Sequence, residues 1–158
     1  MAVTKRKLSV SEKNLFPESF RAAIEIAKVT LISRAHNPFA SGKILTRNND
    51  IYWPDCPADF TMQGLSLQSL LMHELCHVWQ YHTGRLSGLG YLTSPSSWSY
   101  EYVYDPAKAF DDYPTEKQAD LLQDWYRVNN GAAAANYDRA ESVQPSKEQI
   151  NAVVPFEW

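Results

Sequence analysis

The residues of this sequence that are best suited to chemistry lie within residues 70–81, LLMHELCHVWQY. His73 and His77 are four positions apart, so on an α-helix they share one face, one turn above the other. Two imidazole nitrogens in that arrangement can bind one metal ion at about 2.0–2.1 Å. Glu74 is rotated about 100° from His73 around the helix, so it would flank the metal and could accept a proton from a water molecule.

This geometry requires that a helix carries the pattern. Apolar residues recur on both sides of the histidines at helical spacing, and Thr83-Gly84 supplies a stop signal. The sequence therefore predicts a helix over about residues 65–81. Two histidines and a glutamate in this order on one helix are typical of a zinc-dependent peptidase, whose zinc has three protein ligands and one open position.

Glu116 is the best candidate for the third metal ligand. It lies 39 residues after His77, in the first turn of a second predicted helix. Asp120 lies one turn further along the same face, where its carboxylate could accept the other N–H of a ligand histidine and orient the ring. Two ordinary alternatives remain: Glu116 could interact only with the helix dipole, and Asp120 could be a solvated surface residue. The next candidates for the third ligand are His36, His82 and Asp112.

Other segments carry signals of regular structure. Ser9 and Glu12 have the spacing of a capping box for a short helix, and Pro17 can open another helix. β-branched and apolar residues indicate strands, and the turn residues 47–50 indicate a hairpin. The predicted strands span residues 29–33, 44–46 and 51–53, and the predicted later helices span about residues 115–129 and 146–153.

A tyrosine-rich segment lies between the two strong helices. Residues 99–104, SYEYVY, alternate in a way that predicts a strand with Tyr100, Tyr102 and Tyr104 on one face. These side chains have two interpretations. They could pack in the core as an aromatic ladder, or the hydroxyl of Tyr102 or Tyr104 could lie over the metal and stabilise an oxyanion.

Length and composition limit the range of functions. The chain has 158 residues, enough for one domain with its own core, and 44% hydrophobic with 21% charged residues is ordinary for a globular protein. We expect the core over about residues 8–130 and a loosely held C-terminal extension over residues 131–158. The net charge of −3 does not favour nucleic acid as a partner, and no apolar run is long enough for a membrane span.

The cysteines and the first residues bear on the cellular compartment. Cys76 faces away from both histidines on the predicted helix and is expected to be a small buried apolar residue. A disulfide between Cys56 and Cys76 is compatible with the sequence but not required by it. The first residues contain a basic cluster without the apolar segment of a Sec signal, so we expect synthesis in the cytoplasm without Sec export.

HELCH followed by EKQAD resembles the gluzincin arrangement, in which HExxH is completed by Glu-x-x-x-Asp. More closely, the segments GKILTRNNDIYWP, LLMHELCHVWQYHTG and YEYVYDPAKAFDDYPTEKQAD resemble small Vgr-related zincin-like proteins associated with Rhs elements and type VI secretion. The resemblance covers roughly residues 8–130. It implies an α+β zincin-like domain with a small mixed sheet, an active-site helix and a second helix that bears a glutamate.

The resemblance also implies roles for individual residues and partners. His73, His77 and Glu116 would bind one Zn²⁺ per chain, and Glu74 would be the catalytic base. The implied activity is that of a metallopeptidase effector or toxin, exported by a type VI-like system, that acts on cell-wall peptide or on a target-cell protein. A component of the secretion apparatus and an immunity protein are the implied protein partners.

Two functions of other classes remain open. The domain could bind zinc structurally as a non-catalytic adaptor or docking module of a secretion system, or it could be an inactive toxin-associated fold that binds a partner. If the domain is a peptidase, we expect the hairpin over residues 44–53 to bind substrate, because an extended peptide can add to an exposed strand.

Overall fold

The fold combines a four-stranded mixed sheet with several helices, which confirms the predicted α+β class. The computed structural model describes residues 3–36, 42–87 and 101–158. Within these residues the α-helices are α1 Val10–Lys13, α2 Glu18–Ala23, α3 Leu65–His82, α4 Thr115–Asn129 and α5 Lys147–Val153.

Helix α3 runs through the middle of the molecule. Its residues from Leu71 to Gln80 are all buried, polar ones included. A helix that is buried on every side belongs inside a domain and needs partners for its polar side chains. Helix α4 and a strand of the sheet supply most of these surroundings, and the 3₁₀ turn Phe60–Met62 also packs against α3.

The sheet is built from four strands of three residues each. They are β1 Lys5–Lys7, β2 Thr30–Ile32, β3 Leu45–Arg47 and β4 Asp50–Tyr52. The spatial order is β1-β2-β4-β3, with β2 parallel to β4 and the other neighbouring pairs antiparallel. β3 is therefore the terminal strand of the described sheet, and it is the strand that packs against α3.

Strands β3 and β4 form the predicted hairpin. Thr46 pairs with Ile51, and both residues are buried. Asn48 in the turn has a φ of 54°, a left-handed conformation that asparagine tolerates better than most residues. The hairpin thereby brings Thr46 against α3.

The short helices follow their sequence signals. The predicted capping box of α1 is present, since the Ser9 side chain accepts from the Glu12 backbone and the Glu12 side chain accepts from the Ser9 backbone. Ser146 and Gln149 form a second capping box at the start of α5. Strand β1 has no counterpart in the sequence prediction, because its three basic residues have no apolar pattern.

The C-terminal segment packs against the core, which corrects the expectation of a loosely held extension. Ile150 of α5 is fully buried. The ring of Phe156 lies 5.0 Å from that of Phe20, and the ring of Trp158 lies 5.1 Å from that of Trp125. Large aromatic rings contribute much of the apolar area that a small core buries, so this segment is part of the fold.

The predicted strand over residues 99–104 lies partly outside the described residues, which resume at residue 101. Between residues 101 and 104 the chain forms one isolated parallel bridge, from Tyr102 to Tyr137. Cys56 and Cys76 are free thiols and are not joined to each other. Among the described residues, no helix has the length and apolar character needed to cross a membrane.

Candidate metal centre

Helix α3 places the two histidines of HELCH side by side. His73 and His77 are both buried, and their Nε2 atoms lie 3.2 Å apart. The spacing follows from helix geometry, because residues four positions apart stack one turn above the other. The intervening residues Leu75 and Cys76 are fully buried in the core.

Helix α4 adds Glu116 from its first turn. One carboxylate oxygen, Oε2, lies 3.4 Å from Nε2 of His73 and 3.4 Å from Nε2 of His77. The three side chains could hold a metal ion, since each offers one ligand atom and these atoms lie within 4.8 Å of one another. The structure therefore brings together the three predicted ligands, two from α3 and one from α4.

The spacing of these three atoms fits a zinc ion. Zinc lies about 2.0–2.1 Å from nitrogen and oxygen ligands in tetrahedral sites, so two ligands of one tetrahedron are about 3.3–3.4 Å apart. The three distances in this cluster are 3.2, 3.4 and 3.4 Å. The cluster thus has the dimensions of one face of a zinc tetrahedron, and imidazole with carboxylate is a donor set that zinc accepts.

The electrostatics of the cluster favour a positive charge. Burial lowers the pKa of His73, but the carboxylates of Asp120 and Glu116 outweigh it and raise the pKa to about 10. Burial also lowers the pKa of His77, yet Glu116 gives a net increase. Burial raises the pKa of Glu116, whereas its interactions with the two histidines hold that pKa well below its ordinary value. A proton and a metal ion are alternative sources of the positive charge that these groups favour.

Asp120 lies where the sequence predicts, against the far side of the His73 ring. Its Oδ1 is 3.0 Å from Nδ1 of His73. Its other oxygen, Oδ2, accepts the backbone N–H of Glu101 at 2.8 Å. Glu101 has a φ of 65°, a left-handed conformation that is uncommon for such a residue. Asp120 is therefore held by a backbone contact while it faces the metal-ligand candidate.

Glu74 has a partner on the sheet. Its carboxylate Oε2 accepts the hydroxyl of Thr46 at 2.6 Å, and its backbone oxygen lies 3.3 Å from the same hydroxyl. Glu74 and Thr46 are both buried. Since a threonine hydroxyl has one proton to donate, the short contact to the carboxylate is the stronger hydrogen bond.

Tyr102 forms a hydrogen bond in the core. It is fully buried, and its hydroxyl donates to Oδ2 of Asp124 at 2.7 Å. Burial raises the pKa of Tyr102, and the charge of Asp124 raises it further. The hydroxyl is therefore engaged with Asp124 in the core, and the catalytic role of Tyr102 stays a prediction. The side chain of Tyr104 packs against the core, and its catalytic role stays a prediction.

The other candidate ligands lie outside the cluster. Nε2 of His82 is 2.6 Å from Oδ1 of Asn49 in the hairpin turn. The ring of His36 contacts the edge of Tyr52, 4.7 Å between centroids. Asp112 accepts the backbone N–H of Ala109 in a short 3₁₀ turn before α4. Each of these side chains has a local partner.

Sequence reasoning missed three polar residues around the cluster. They are Thr46, Gln80 and Gln118. Gln80 follows His77 by three positions, a spacing that puts both on one helix face, but the sequence does not show what surrounds them. Threonine in a strand and glutamine in a helix are common, so neither residue type attracts attention alone.

Comparison with known structures finds a solved domain with a similar fold. The effector domain of Pseudomonas aeruginosa VgrG2b superposes with a TM-score of 0.68 at 24% identity, over 93% of this chain and 80% of that domain. The two chains share a fold. No protein-family model matches the chain.

Sequence comparison finds a similar, longer protein. The chain is 30% identical over 143 residues to the type VI secretion system spike protein VgrG2b of Pseudomonas aeruginosa. The match covers 83% of this chain but 14% of that relative. The chain therefore spans only a small part of the length of the relative that it matches.

Proposed function

We propose that this chain is a zinc-dependent metallopeptidase domain that acts as an effector of type VI secretion. The observation that carries the proposal is the buried triangle of His73, His77 and Glu116, whose edges of 3.2, 3.4 and 3.4 Å match one face of a zinc tetrahedron. The position of Glu74 between the two histidines in the sequence supplies the base that such a site needs.

The ligand count favours catalysis over a structural zinc site. Structural sites are closed by four protein ligands, commonly rich in cysteine, whereas catalytic sites have three and keep one position for water or substrate. Among the described residues the cluster offers three ligand atoms, from two histidines and one glutamate. Cys76 is a buried thiol on the same helix, and it is not a member of the cluster.

The reaction follows from the placement of the protein groups. Zinc, when bound, supplies Lewis-acid activation of a water molecule and of the scissile carbonyl. Glu74 accepts the proton of the attacking water and then delivers it to the leaving amine. Thr46 holds Oε2 of Glu74 at 2.6 Å, so we assign the proton transfer to the other oxygen, Oε1. Oδ1 of Asp120 lies 3.0 Å from Nδ1 of His73, on the side of that ring away from Glu116 and His77.

Strand β3 is the proposed binding edge for an extended peptide. It is the terminal strand of the described sheet, and its middle residue, Thr46, contacts the base directly. A peptide that adds to this strand would pass beside Glu74. The substrate class is therefore a peptide in extended conformation, from the stems of the bacterial cell wall or from a protein of a target cell.

The secretion part of the proposal rests on the two comparisons. The similar domain is described as an effector domain, and the similar full-length protein as a spike protein of a type VI secretion system. We propose by analogy that this chain is delivered by such a system and contacts its apparatus.

Zinc content and hydrolysis together test the proposal. Purified wild type should carry about one zinc per chain, and His73→Ala, His77→Ala and Glu116→Ala should each lose most of it. Zinc-loaded wild type should cleave an unfolded protein or a cell-wall stem peptide, measured by mass spectrometry, and a chelator should stop the cleavage. Equal zinc content in all four proteins would refute the site. Full zinc content without cleavage of either substrate would favour a docking module.

A further inference from the structure

The second metal-ligand candidate, His77, is held by a chain of amide groups that the proposed mechanism does not itself require. Nδ1 of His77 lies 2.8 Å from Oε1 of Gln80. Nε2 of Gln80 lies 2.8 Å from the backbone oxygen of Thr115 and 2.9 Å from Oε1 of Gln118. Nε2 of Gln118 in turn lies 3.2 Å from the backbone oxygen of Phe110.

The backbone oxygens of Thr115 and Phe110 determine the direction of each hydrogen bond in this series of amide groups. A carbonyl oxygen only accepts, so the amide atom that faces Thr115 must be the NH₂ group of Gln80. The same argument at Phe110 orients Gln118 and turns its oxygen towards Gln80. Oε1 of Gln80 is then left facing His77, and it too can only accept. Exchanging the oxygen and nitrogen of either amide would place two acceptors against each other.

The consequence for His77 is that its proton resides on Nδ1. The opposite neutral tautomer would direct the lone pair of Nδ1 at the oxygen of Gln80 across 2.8 Å, which is repulsive. With Nδ1 protonated, the lone pair of Nε2 points towards His73 and Glu116, where a metal ligand must point it.

The same amide also connects the two ligand-bearing helices. Gln80 belongs to α3, and the oxygen that it binds belongs to Thr115, the residue directly before Glu116 in α4. Gln80 is fully buried, so water does not compete for these contacts. One side chain therefore orients the second ligand and anchors the backbone beside the third.

We propose that Gln80 is a positioning residue of the metal centre, which holds His77 in the tautomer protonated at Nδ1. This inference rests on the proposed function, because it assumes that His77 binds a metal through Nε2. It predicts that loss of the amide weakens zinc binding by about 10–100-fold, the range for a group that orients a ligand without touching the metal.

Gln68 provides a matched control on the same helix. Its Nε2 donates to the backbone oxygens of Phe60 and Gln63, and its Oε1 accepts the hydroxyl of Tyr126. Like Gln80, it donates two hydrogen bonds and accepts one. It precedes Gln80 by twelve residues, about 18 Å along the helix, and the three partners of its hydrogen bonds lie outside the cluster.

The experiment compares wild type with Gln80→Met, Gln80→Glu and Gln68→Met. Apparent zinc affinity is measured by competition with a zinc-sensitive dye, after circular dichroism and melting temperature have established folding. Gln80→Met should bind about 10–100-fold more weakly, and Gln68→Met should stay within about threefold of wild type. Gln80→Glu keeps an acceptor for His77 but loses both donors, so it should bind more tightly than Gln80→Met.

A spectroscopic measurement separates orientation from general stability. In zinc-loaded wild type the Nδ1–H of His77 should give a slowly exchanging ¹H–¹⁵N signal, because it is buried and hydrogen-bonded. The signal should persist in Gln68→Met and Gln80→Glu and disappear or exchange rapidly in Gln80→Met. If Gln80→Met does not fold, loss of this signal in Gln80→Glu overturns the proposal.

The outcomes distinguish this inference from the proposed function. Absence of zinc binding by wild type would overturn both. Zinc binding by wild type with unchanged affinity in Gln80→Met would overturn the role of Gln80 and leave the metal centre standing. Equal losses in Gln80→Met and Gln68→Met, or in Gln80→Met and Gln80→Glu, would show that the amide acts only on the fold.

Discussion

Two buried glutamates, Glu12 and Glu116, show how differently one fold can treat the same side chain. Their exposed fractions are 1% and 3%. Glu12 accepts two hydrogen bonds from Arg6 at 2.8 Å and one each from the backbone N–H groups of Ser9 and Phe60, at 2.8 and 2.9 Å. Glu116 instead faces two imidazole nitrogens at 3.4 Å.

The two carboxylates differ in whether protein groups supply all the hydrogen-bond donors and positive charge that each one needs. The guanidinium and the backbone donors neutralise and orient the Glu12 carboxylate, as a buried charge requires. Around Glu116, the protein supplies nitrogens that present lone pairs unless they carry an added proton. A buried carboxylate whose oxygens all accept hydrogen bonds from the protein has a structural role. One that is grouped with other metal-ligating atoms can instead bind a cation.

The comparison predicts that changes in the Glu116 cluster alter function more than folding, and that changes at Glu12 do the reverse.

The largest effect is expected for Glu74→Gln, which removes the proton acceptor and leaves the three ligands in place. Hydrolysis should fall by about 10²–10⁴-fold, with zinc content and melting temperature close to wild type. Activity within threefold of wild type would show that Glu74 is not the base.

Glu12→Gln should produce the opposite result. Burial raises the pKa of Glu12, but Arg6, Phe60 and Ser9 lower it from 4.5 to about 2. A carboxylate with a lowered pKa stabilises the fold fully above about pH 4.5, and the contribution is lost as the pH falls through about 2. The substitution should cost about 3 kcal/mol of unfolding free energy at pH 7, and less towards pH 2.

Urea unfolding of chelator-treated wild type and Glu12→Gln, from pH 7 down to pH 2.5, measures this difference. Both proteins should then bind zinc with the same affinity once refolded at neutral pH. A pH-independent difference between the two proteins would mean that Glu12 acts through packing and not through its charge.

Asp120→Ala sharpens the comparison, because it removes a carboxylate that contacts the ligand candidate His73 and is not itself a ligand candidate. We expect zinc affinity to fall by about 10–100-fold through looser orientation of His73. Dye competition against wild type and Glu116→Ala gives the ranking, with Glu116→Ala weakest. If Asp120 acted only by holding the Glu101 backbone, its substitution would lower stability and leave zinc affinity unchanged.

Thr46→Val is expected to have the smallest effect. Valine has nearly the same shape as threonine but cannot donate to Oε2 of Glu74, so the base loses a charge-assisted hydrogen bond. We expect kcat to fall by about tenfold with KM and zinc content unchanged, and Thr46→Ser to restore most of the rate. A change confined to KM would instead assign Thr46 to substrate binding.

Local rules in the sequence predicted much of this molecule. The spacing of His73 and His77, the capping box of Ser9 and Glu12 and the hairpin around residues 47–50 all depend on contacts between residues close in sequence. Helix and turn geometry determine such contacts wherever the element lies. The candidate ligand pair and the elements that carry it could therefore be predicted from residue order alone.

Only the tertiary structure decided what surrounds the pair. Thr46 and Glu74 are 28 positions apart, and Gln80 and Gln118 are 38 apart, so their contacts depend on how β3 and α4 pack against α3. The same packing engaged Tyr102 with Asp124 and drew the C-terminal aromatic residues onto the core. Apolar patterns reveal which face of an element is buried, but they leave its partner and its rotation undetermined, and those two properties set the long-range polar contacts around the candidate metal centre.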